Sequence, residues 1–244
     1  MFVESATIYD AIYNSHHDVA ADAEKLHGMI ARHAETSGST LLDVACGTGL
    51  YLDPLRHRYA VEGLDLSPEM LVVARRKFPD ITFHQGDMVA FDLSRQFDVV
   101  ICLGSSIGYV ASVSRLRRTL RTLRTLADHT RPGGVVVVEP WFSPDQWQDG
   151  RLTADLIDEP DLKIARILVS GRNGRLSTLD IHYLVARSSG VTTFTERHQL
   201  GLFTHDDYLS AFAKAGLTVT HDTVGLLGRG LYVGAKPRDD SVVC

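Results

Sequence analysis

The tightest constraint on this 244-residue chain is a stretch of nine residues. Leu41-Leu42-Asp43-Val44-Ala45-Cys46-Gly47-Thr48-Gly49 begins as an apolar run and ends between two glycines. Leu41, Leu42, Val44 and Ala45 have the near-continuous hydrophobicity of a parallel strand covered on both faces. Helical spacing begins at about Leu50, so the chain has to turn from strand to helix between Gly47 and Gly49. Glycine at both points permits the turn and lets a ligand approach bare backbone N–H groups. The nearest alternative is a dinucleotide-binding fingerprint, G-x-G-x-x-G, but reading on from Gly47 gives Gly-Thr-Gly-Leu-Tyr-Leu. The third glycine, needed for close helix–strand packing, is absent. This disfavours a nicotinamide-dependent oxidoreductase.

A second strand, Val61-Glu62-Gly63-Leu64, ends in Asp65. Ser67-Pro68-Glu69 then opens a helix, with Ser67 as its N-cap and Pro68 in the first turn. Further strands are expected at 81–84, 97–102 and, after the Arg131-Pro132-Gly133-Gly134 turn, 135–139. Helices are expected at about 19–36, with Leu26, Met29 and Ile30 as its stripe, and at about 50–57. Such alternation implies a doubly wound α/β sheet. Beyond Glu139 the pattern changes. Residues 162–169, 178–186 and 192–203 read as an antiparallel meander, with a hairpin at Asn173-Gly174. Inserted after strand five, it would lie over the strand carboxyl ends, where open α/β sheets bind ligands; its third strand can double as a core strand. A helix at about 205–215 and segments at 217–224 and 230–236 complete the sheet.

A chain of this length buries roughly 70–75% of its unfolded surface and needs no staple. Cys46, Cys102 and Cys244 match no metal spacing, and an odd count suits a reducing cytoplasm. No metal is expected. A formal net charge of −5 argues against nucleic acid as a partner. Arg115, Arg117, Arg118, Arg121 and Arg124 crowd one helix, but Leu116, Leu120, Leu123 and Ala127 form its core stripe, so the arginines read as a solvated face. The start, Met-Phe-Val-Glu-Ser-Ala, has no basic signal region, and no apolar run reaches membrane length. A cytoplasmic protein, not bound to membranes, is expected.

D-x-A-x-G-T-G at 43–49, Leu-Asp-Leu-Ser at 64–67 and Gly86-Asp87-Met88 together resemble the class I S-adenosylmethionine (SAM)-dependent methyltransferases over about residues 40–140. The resemblance implies a Rossmann-like, seven-stranded methyltransferase sheet, with SAM as cofactor and S-adenosylhomocysteine as its product. It implies one domain over 1–244, made of a lid and helix at 1–38, a SAM-binding core at 39–140 and the β insertion at 160–203. Asp43, Ala45, Gly47 and Gly49 are then expected at the methionine end, and Leu103 as a backbone contact to it. Asp65 is expected on the ribose, Leu66 and Met70 as adenine walls, and Asp87 and Met88 at the exocyclic amine; a plain loop carboxylate stays open for Asp87. Tyr9 and Tyr13 share a helix face, and in the family a Tyr-Asp-x-x-Tyr segment near the start folds over SAM. Simple packing stays open for both.

Ser105-Ser106-Ile107-Gly108-Tyr109, Gly133–Trp141, Asp180-Ile181-His182-Tyr183 and Gly228–Gly234 resemble the nucleotide-sugar N,N-dimethyltransferases that finish amino-deoxysugars for antibiotics, over nearly the whole chain. The implied partner is a small-molecule nucleotide sugar, and a homodimer is left open. Tyr13 and Tyr109 would orient the acceptor amine, with Glu139 or His182 as conceivable proton acceptors. A tyrosine near pKa 10 is a poor base, so Tyr109 is expected to position rather than deprotonate. Ser106, Trp141 and Tyr183 are expected to line the acceptor pocket. Arg166 and Arg229 are candidates for two phosphates, against a cross-strand ion pair for Arg166 and an exposed turn for Arg229.

Overall fold

The computed structural model describes residues 3–110 and 115–238. Cys244 and the side chains of Arg115, Leu116 and Arg117 lie outside the described part. Strand β1 (Thr40–Val44) pairs in parallel with β2 (Ala60–Asp65) on one side and β4 (Phe97–Cys102) on the other. With β3 (Thr82–Gln85), β5 (Thr130–Val138), β10 (Thr218–Asp222) and β11 (Leu231–Ala235), they form a seven-stranded sheet in the order β10-β11-β5-β4-β1-β2-β3. Only β11 runs against its neighbours β5 and β10. The order reverses beside β1, which opens a crevice at the carboxyl ends of β1 and β4.

Alternation along the strands divides the core. Leu42, Val44, Val100, Cys102, Val136 and Val138 pack on the face covered by α5 (Arg115–Asp128) and α6 (His205–Lys214). Leu41, Val99, Ile101, Val135 and Val137 pack on the other, against α2 (Val19–His33), α3 (Leu52–Leu55) and α4 (Pro68–Lys77). Ser67 caps α4 by accepting from the Met70 N–H, with Pro68 in the first turn, as the sequence implies. In α5 the core positions are Leu123, Leu126 and Ala127, while Arg121 and Arg124 are exposed.

Several boundaries differ from expectation. Helix α2 stops at His33, where Ala34 becomes extended. The helix after the glycine loop is a single turn, α3. Strand β5 starts at Thr130, because Arg131–Gly134 stay in the strand through a shift of register between Phe97 and Val99. The meander has four strands, β6 (Leu152–Glu159), β7 (Leu162–Asn173), β8 (Leu176–Arg187) and β9 (Gly190–Gly201). The unforeseen β6 is an edge strand whose Leu152 and Leu156 point outward, so it lacks the buried apolar run that marks a strand in sequence. The third expected strand, β9, pairs only with β8 and does not join the core sheet.

Asp98 ties the base of the sheet together. At 1% exposure it accepts from Thr36 Oγ1 (2.6 Å), Thr40 N–H (3.0 Å) and Thr40 Oγ1 (2.5 Å), and Arg131 Nη1 stands 3.0 Å away. Burial alone would raise this carboxyl, but the hydrogen bonds and the arginine hold it down to about 2. A folded pKa below the unfolded value adds stability that is complete above about pH 4 and is lost as pH falls towards 2. Chemical denaturation across that window should show a loss of about 2 kcal/mol that Asp98→Asn abolishes. An unchanged pH dependence in the variant would remove Asp98 as the source.

Candidate active site

The nine-residue stretch turns as its glycines require. Gly47 and Gly49 have φ of 56° and 78°, and Ala45 also adopts a positive φ, 62°. The turn is stitched to β2: Cys46 N–H donates to Leu64 O (3.0 Å), and Gly47 N–H donates to Asp65 Oδ2 (2.8 Å). Asp65 Oδ1 accepts from Ser67 N–H (2.8 Å), so one carboxylate holds both the glycine loop and the start of α4. Asp43, 3% exposed, is pushed well above the usual carboxylate range by burial and by the charge of Asp65.

Two cavities open over these strand ends. The smaller, about 160 Å³, is lined by Gly47, Asp65, Leu66, Met70, Asp87 and Met88. Arg118 of α5 also reaches it, 3.6 Å from Asp87 Oδ2, while Asp87 Oδ1 accepts from Val89 N–H. The larger, about 490 Å³, takes Asp43, Leu103 and Gly104 from the core, and Trp141, Arg166, Tyr183 and Arg229 from the elements above. Tyr9, Ala45, Ser106 and Tyr109 line both cavities and form the boundary between them.

The chain start closes this boundary. Tyr9 and Tyr13, on α1 (Tyr9–Asn14), stack with ring centroids 4.2 Å apart, and burial raises both phenols. Asp10 between them accepts from Thr48 Oγ1 in the glycine loop and from Lys77 Nζ at the end of α4. At the other end Ser5 donates to Glu196 of β9, from Oγ at 2.8 Å and from N–H at 3.3 Å. The segment is thus anchored to both the core and the meander.

Register divides the meander into two faces. Arg166, Leu168, Tyr183, Ile181, Glu196 and His198 point to the cavity side, and Ile167, His182 and Leu184 point outward. His182 is therefore exposed beyond the sheet, and the structure removes it from the site expected for it. Glu139, fully buried, lines neither cavity; it sits behind the larger one, accepting from Gly104 N–H (2.8 Å), with Arg229 Nη2 3.8 Å away. Burial raises Glu139 to about 7, against the opposing charge of Arg229. Gly49 also stands back from both cavities, against Phe78.

Arg229 is not the exposed arginine that its flanking glycines suggest. Its Nε donates to Ser105 Oγ (3.0 Å), and its guanidinium lies 5.5 Å from the ring centroids of Trp141 and Phe142. Its charge also acts on Tyr51 and His17, which line the larger cavity with it. Arg166 forms the foreseen cross-strand pair, Nε to Asp155 Oδ2 at 3.0 Å, while lining the cavity. Sequence reasoning missed Arg151, which reaches the same cavity, and missed Glu196 and His198, although their two-residue spacing with Leu200 marks one face of a strand.

A family model described as "Methyltransferase domain" matches residues 41–134. The chain is 40% identical over 234 residues, covering 95% of it and 90% of the relative, to a dTDP-3-amino-3,6-dideoxy-alpha-D-glucopyranose N,N-dimethyltransferase of Streptomyces fradiae. The crystal structure of DesVI from Streptomyces venezuelae superposes with a TM-score of 0.89 at 39% identity, covering 96% of this chain and 99% of that one. An amino pentose methyltransferase from Micromonospora echinaspora, solved with SAM bound, superposes with a TM-score of 0.84 at 35% identity, covering 94% and 96%.

The double anchoring of the chain start is testable without any ligand. Asp10→Ala removes its charged contact with the core, so amides of Tyr9–Asn14 should exchange about tenfold faster with solvent, while those of β1 keep their protection. Unchanged exchange in α1 would show that aromatic packing alone holds the segment.

Proposed function

The chain belongs to the SAM-dependent N,N-dimethyltransferases of nucleotide-linked amino sugars, and we propose that it methylates the amino group of such a sugar. The observation that carries this reading is the pair of adjoining cavities, which meet at Tyr9, Ala45, Ser106 and Tyr109. A cofactor reaching from one into the other would present its reactive group at that boundary, facing an acceptor in the larger cavity.

The residues fit SAM. Apart from Gly47 and its two chain neighbours, no described heavy atom lies within 4 Å of where a Cβ on Gly47 would stand, so the turn leaves open space beside its backbone. The 9%-exposed carboxylate of Asp65 lines the smaller cavity and has capacity for a further donor beyond its backbone partners Gly47, Leu66 and Ser67. Asp65 is assigned to the ribose hydroxyls, Leu66 and Met70 to the adenine faces, and Asp87 and Met88 to the adenine edge. Asp43, Ala45, Gly47 and the Leu103 backbone are assigned to the methionine end; Gly49 shapes the turn. When bound, SAM supplies a methyl group already activated on a sulfonium. The protein then has to align the amine and exclude water, which positioning alone can do effectively.

Tyr13 and Tyr109 are assigned to hold the amine at the boundary, with Ser106, Trp141 and Tyr183 around the sugar. Glu139 is assigned a supporting role, fixing Gly104 and Arg229, because it reaches neither cavity. Arg229, beside Gly104 and near Tyr51, suits the methionine carboxylate better than a diphosphate. The two phosphates are assigned to Arg166 and Arg151, which come from the meander side.

Incubation with SAM and dTDP-3-amino-3,6-dideoxy-α-D-glucopyranose, followed by mass spectrometry, should show the sugar gaining one and then two methyl groups. Transfer only to simple amines or hydroxyls would overturn the acceptor class. Arg229→Ala should weaken SAM binding by calorimetry about tenfold or more, with less change in the sugar KM. A raised KM with unaltered SAM affinity would return Arg229 to the phosphates.

The homodimer left open by the sequence has a surface to form on. Leu152, Leu156, Ile167, Leu184 and Val191 stand 47–77% exposed on the outer face of the meander. Two copies stacked through this face would cover an apolar patch that monomers rarely leave bare. Sedimentation should give twice the chain mass, and Leu156→Asp should halve it. A wild-type monomer at tens of micromolar would sink this assignment.

A further inference from the structure

Behind Tyr109 stands a line of polar side chains that the roles above leave unused. Tyr109 Oη lies 2.9 Å from His198 Nδ1, and His198 Nε2 lies 3.2 Å from Glu196 Oε2. His198 and Glu196 are 2% and 8% exposed. The partners imply the tautomer: Nε2 carries its hydrogen towards the carboxylate, and Nδ1 accepts from the phenol. Glu196 also accepts from Ser5 and from Val3 N–H (3.1 Å), so the line is completed only with the chain start in place. Burying a phenol, an imidazole and a carboxylate in sequence carries a desolvation cost that an apolar trio would avoid.

We propose that the Glu196–His198 pair accepts the proton of the acceptor amine, relayed through the hydroxyl of Tyr109. This rests on the amino-sugar reading above. An amine with a pKa above neutrality arrives mostly as ammonium. Its N–H proton passes to Tyr109 Oη while the Tyr109 hydroxyl proton passes to His198 Nδ1. The result is a neutral amine, a neutral phenol and an imidazolium against the Glu196 carboxylate. The nitrogen lone pair forms the new N–C bond as the C–S bond electrons return to sulfur. The nitrogen is then charged again, and a second transfer needs the same relay once the imidazolium has lost its proton to solvent. Tyr109 positions the amine and conducts its proton; His198 and Glu196 act through it.

The surroundings suit that traffic. Among the described residues, Tyr9 and Tyr13 of α1, Tyr183 of β8, the Arg166–Asp155 pair across β6 and β7, and Arg229 are titratable or charged groups near the line. Burial raises the phenols of Tyr109, Tyr13 and Tyr183, so none of them is an anionic base near neutrality. Burial works to raise Glu196 too, but hydrogen bonds from His198 and Ser5 hold it below the ordinary carboxylate range. It is therefore anionic when His198 takes up a proton.

The test is the pH profile of kcat/KM for wild type, His198→Gln, Glu196→Gln and Tyr109→Phe, using SAM and dTDP-3-amino-3,6-dideoxy-α-D-glucopyranose or another dTDP-amino sugar that the wild type methylates. Calorimetry with SAM serves as the folding control. With the relay cut, only amine already neutral in solution can react. Each variant should lose about 10²-fold at about pH 6.5, and the deficit should shrink to about threefold near pH 9. An equal loss at every pH would make the line structural, and an unchanged profile would remove it from the reaction; either result overturns the proposal. If a histidine or glutamate variant fails to bind SAM, Tyr109→Phe, which removes one oxygen, decides by the same criterion. A wild type that methylates no dTDP-amino sugar overturns the acceptor reading and the relay with it, whereas an active wild type with pH-parallel variants overturns the relay alone.

Discussion

The hydrogen bond from Gly47 N–H to Asp65 Oδ2 is the contact on which the site depends. It joins the turn after β1 to the end of β2, and the other oxygen of Asp65 fixes the start of α4. A glycine loop with positive φ at three of its residues has many conformations available when unfolded, and this carboxylate selects one of them. The same group lines the smaller cavity. Loop geometry and ligand capacity are therefore set by a single side chain, held in place by backbone donors rather than by other mobile side chains.

The meander is the second determinant. Its inner face packs Ile157, Ile164, Ile181 and Val185 in one cluster with Ile8 and Ile12 of the chain start and also carries Arg166, Tyr183, Glu196 and His198, while its outer face mixes exposed aliphatic side chains with the Arg197–Asp180 and Lys163–Asp158 ion pairs. The buried apolar residues follow the usual arrangement of an antiparallel sheet, in which the apolar face packs on a core, but the same face also holds charged and polar groups, and the opposite one keeps Leu152, Leu156, Ile167, Leu184 and Val191 exposed. The buried polar groups are physically sensible if the inner face roofs a polar ligand, and the exposed aliphatic ones if the outer face meets another apolar surface. The chain start then bridges roof and floor, with Asp10 on the glycine loop and Ser5 on Glu196. Closing the larger cavity and completing the line behind Tyr109 are thus one structural event.

Much of this was legible in the sequence, because the responsible signals are local. The glycine turn, Asp65 at a strand end and the Ser67-Pro68 cap are specified within a few residues, and the structure places them as read. The Asn173-Gly174 hairpin also forms as expected. What escaped depends on register between strands distant in sequence. His182 and Tyr183 are adjacent, and only the pairing of β8 decides which of them faces the cavity. Glu196 and His198 were passed over although 192–203 reads as a meander strand, because only its pairing with β8 shows that they share a face with Tyr183. For Arg229 the sequence offered a phosphate partner or an exposed turn, and neither reading could foresee that Ser105 and Glu139, each at least 90 residues earlier, hold its side chain.

The central claim is that cofactor and acceptor meet at the boundary made by Tyr9, Ala45, Ser106 and Tyr109. A crystal structure of the ternary complex with S-adenosylhomocysteine and a dTDP-amino sugar addresses it most directly. The amine nitrogen should lie within about 2.6–3.2 Å of the Tyr13 or Tyr109 hydroxyl and face the cofactor sulfur, with the phosphates towards Arg151 and Arg166. A sugar whose amine points away from the sulfur, towards the meander or solvent, would contradict the claim.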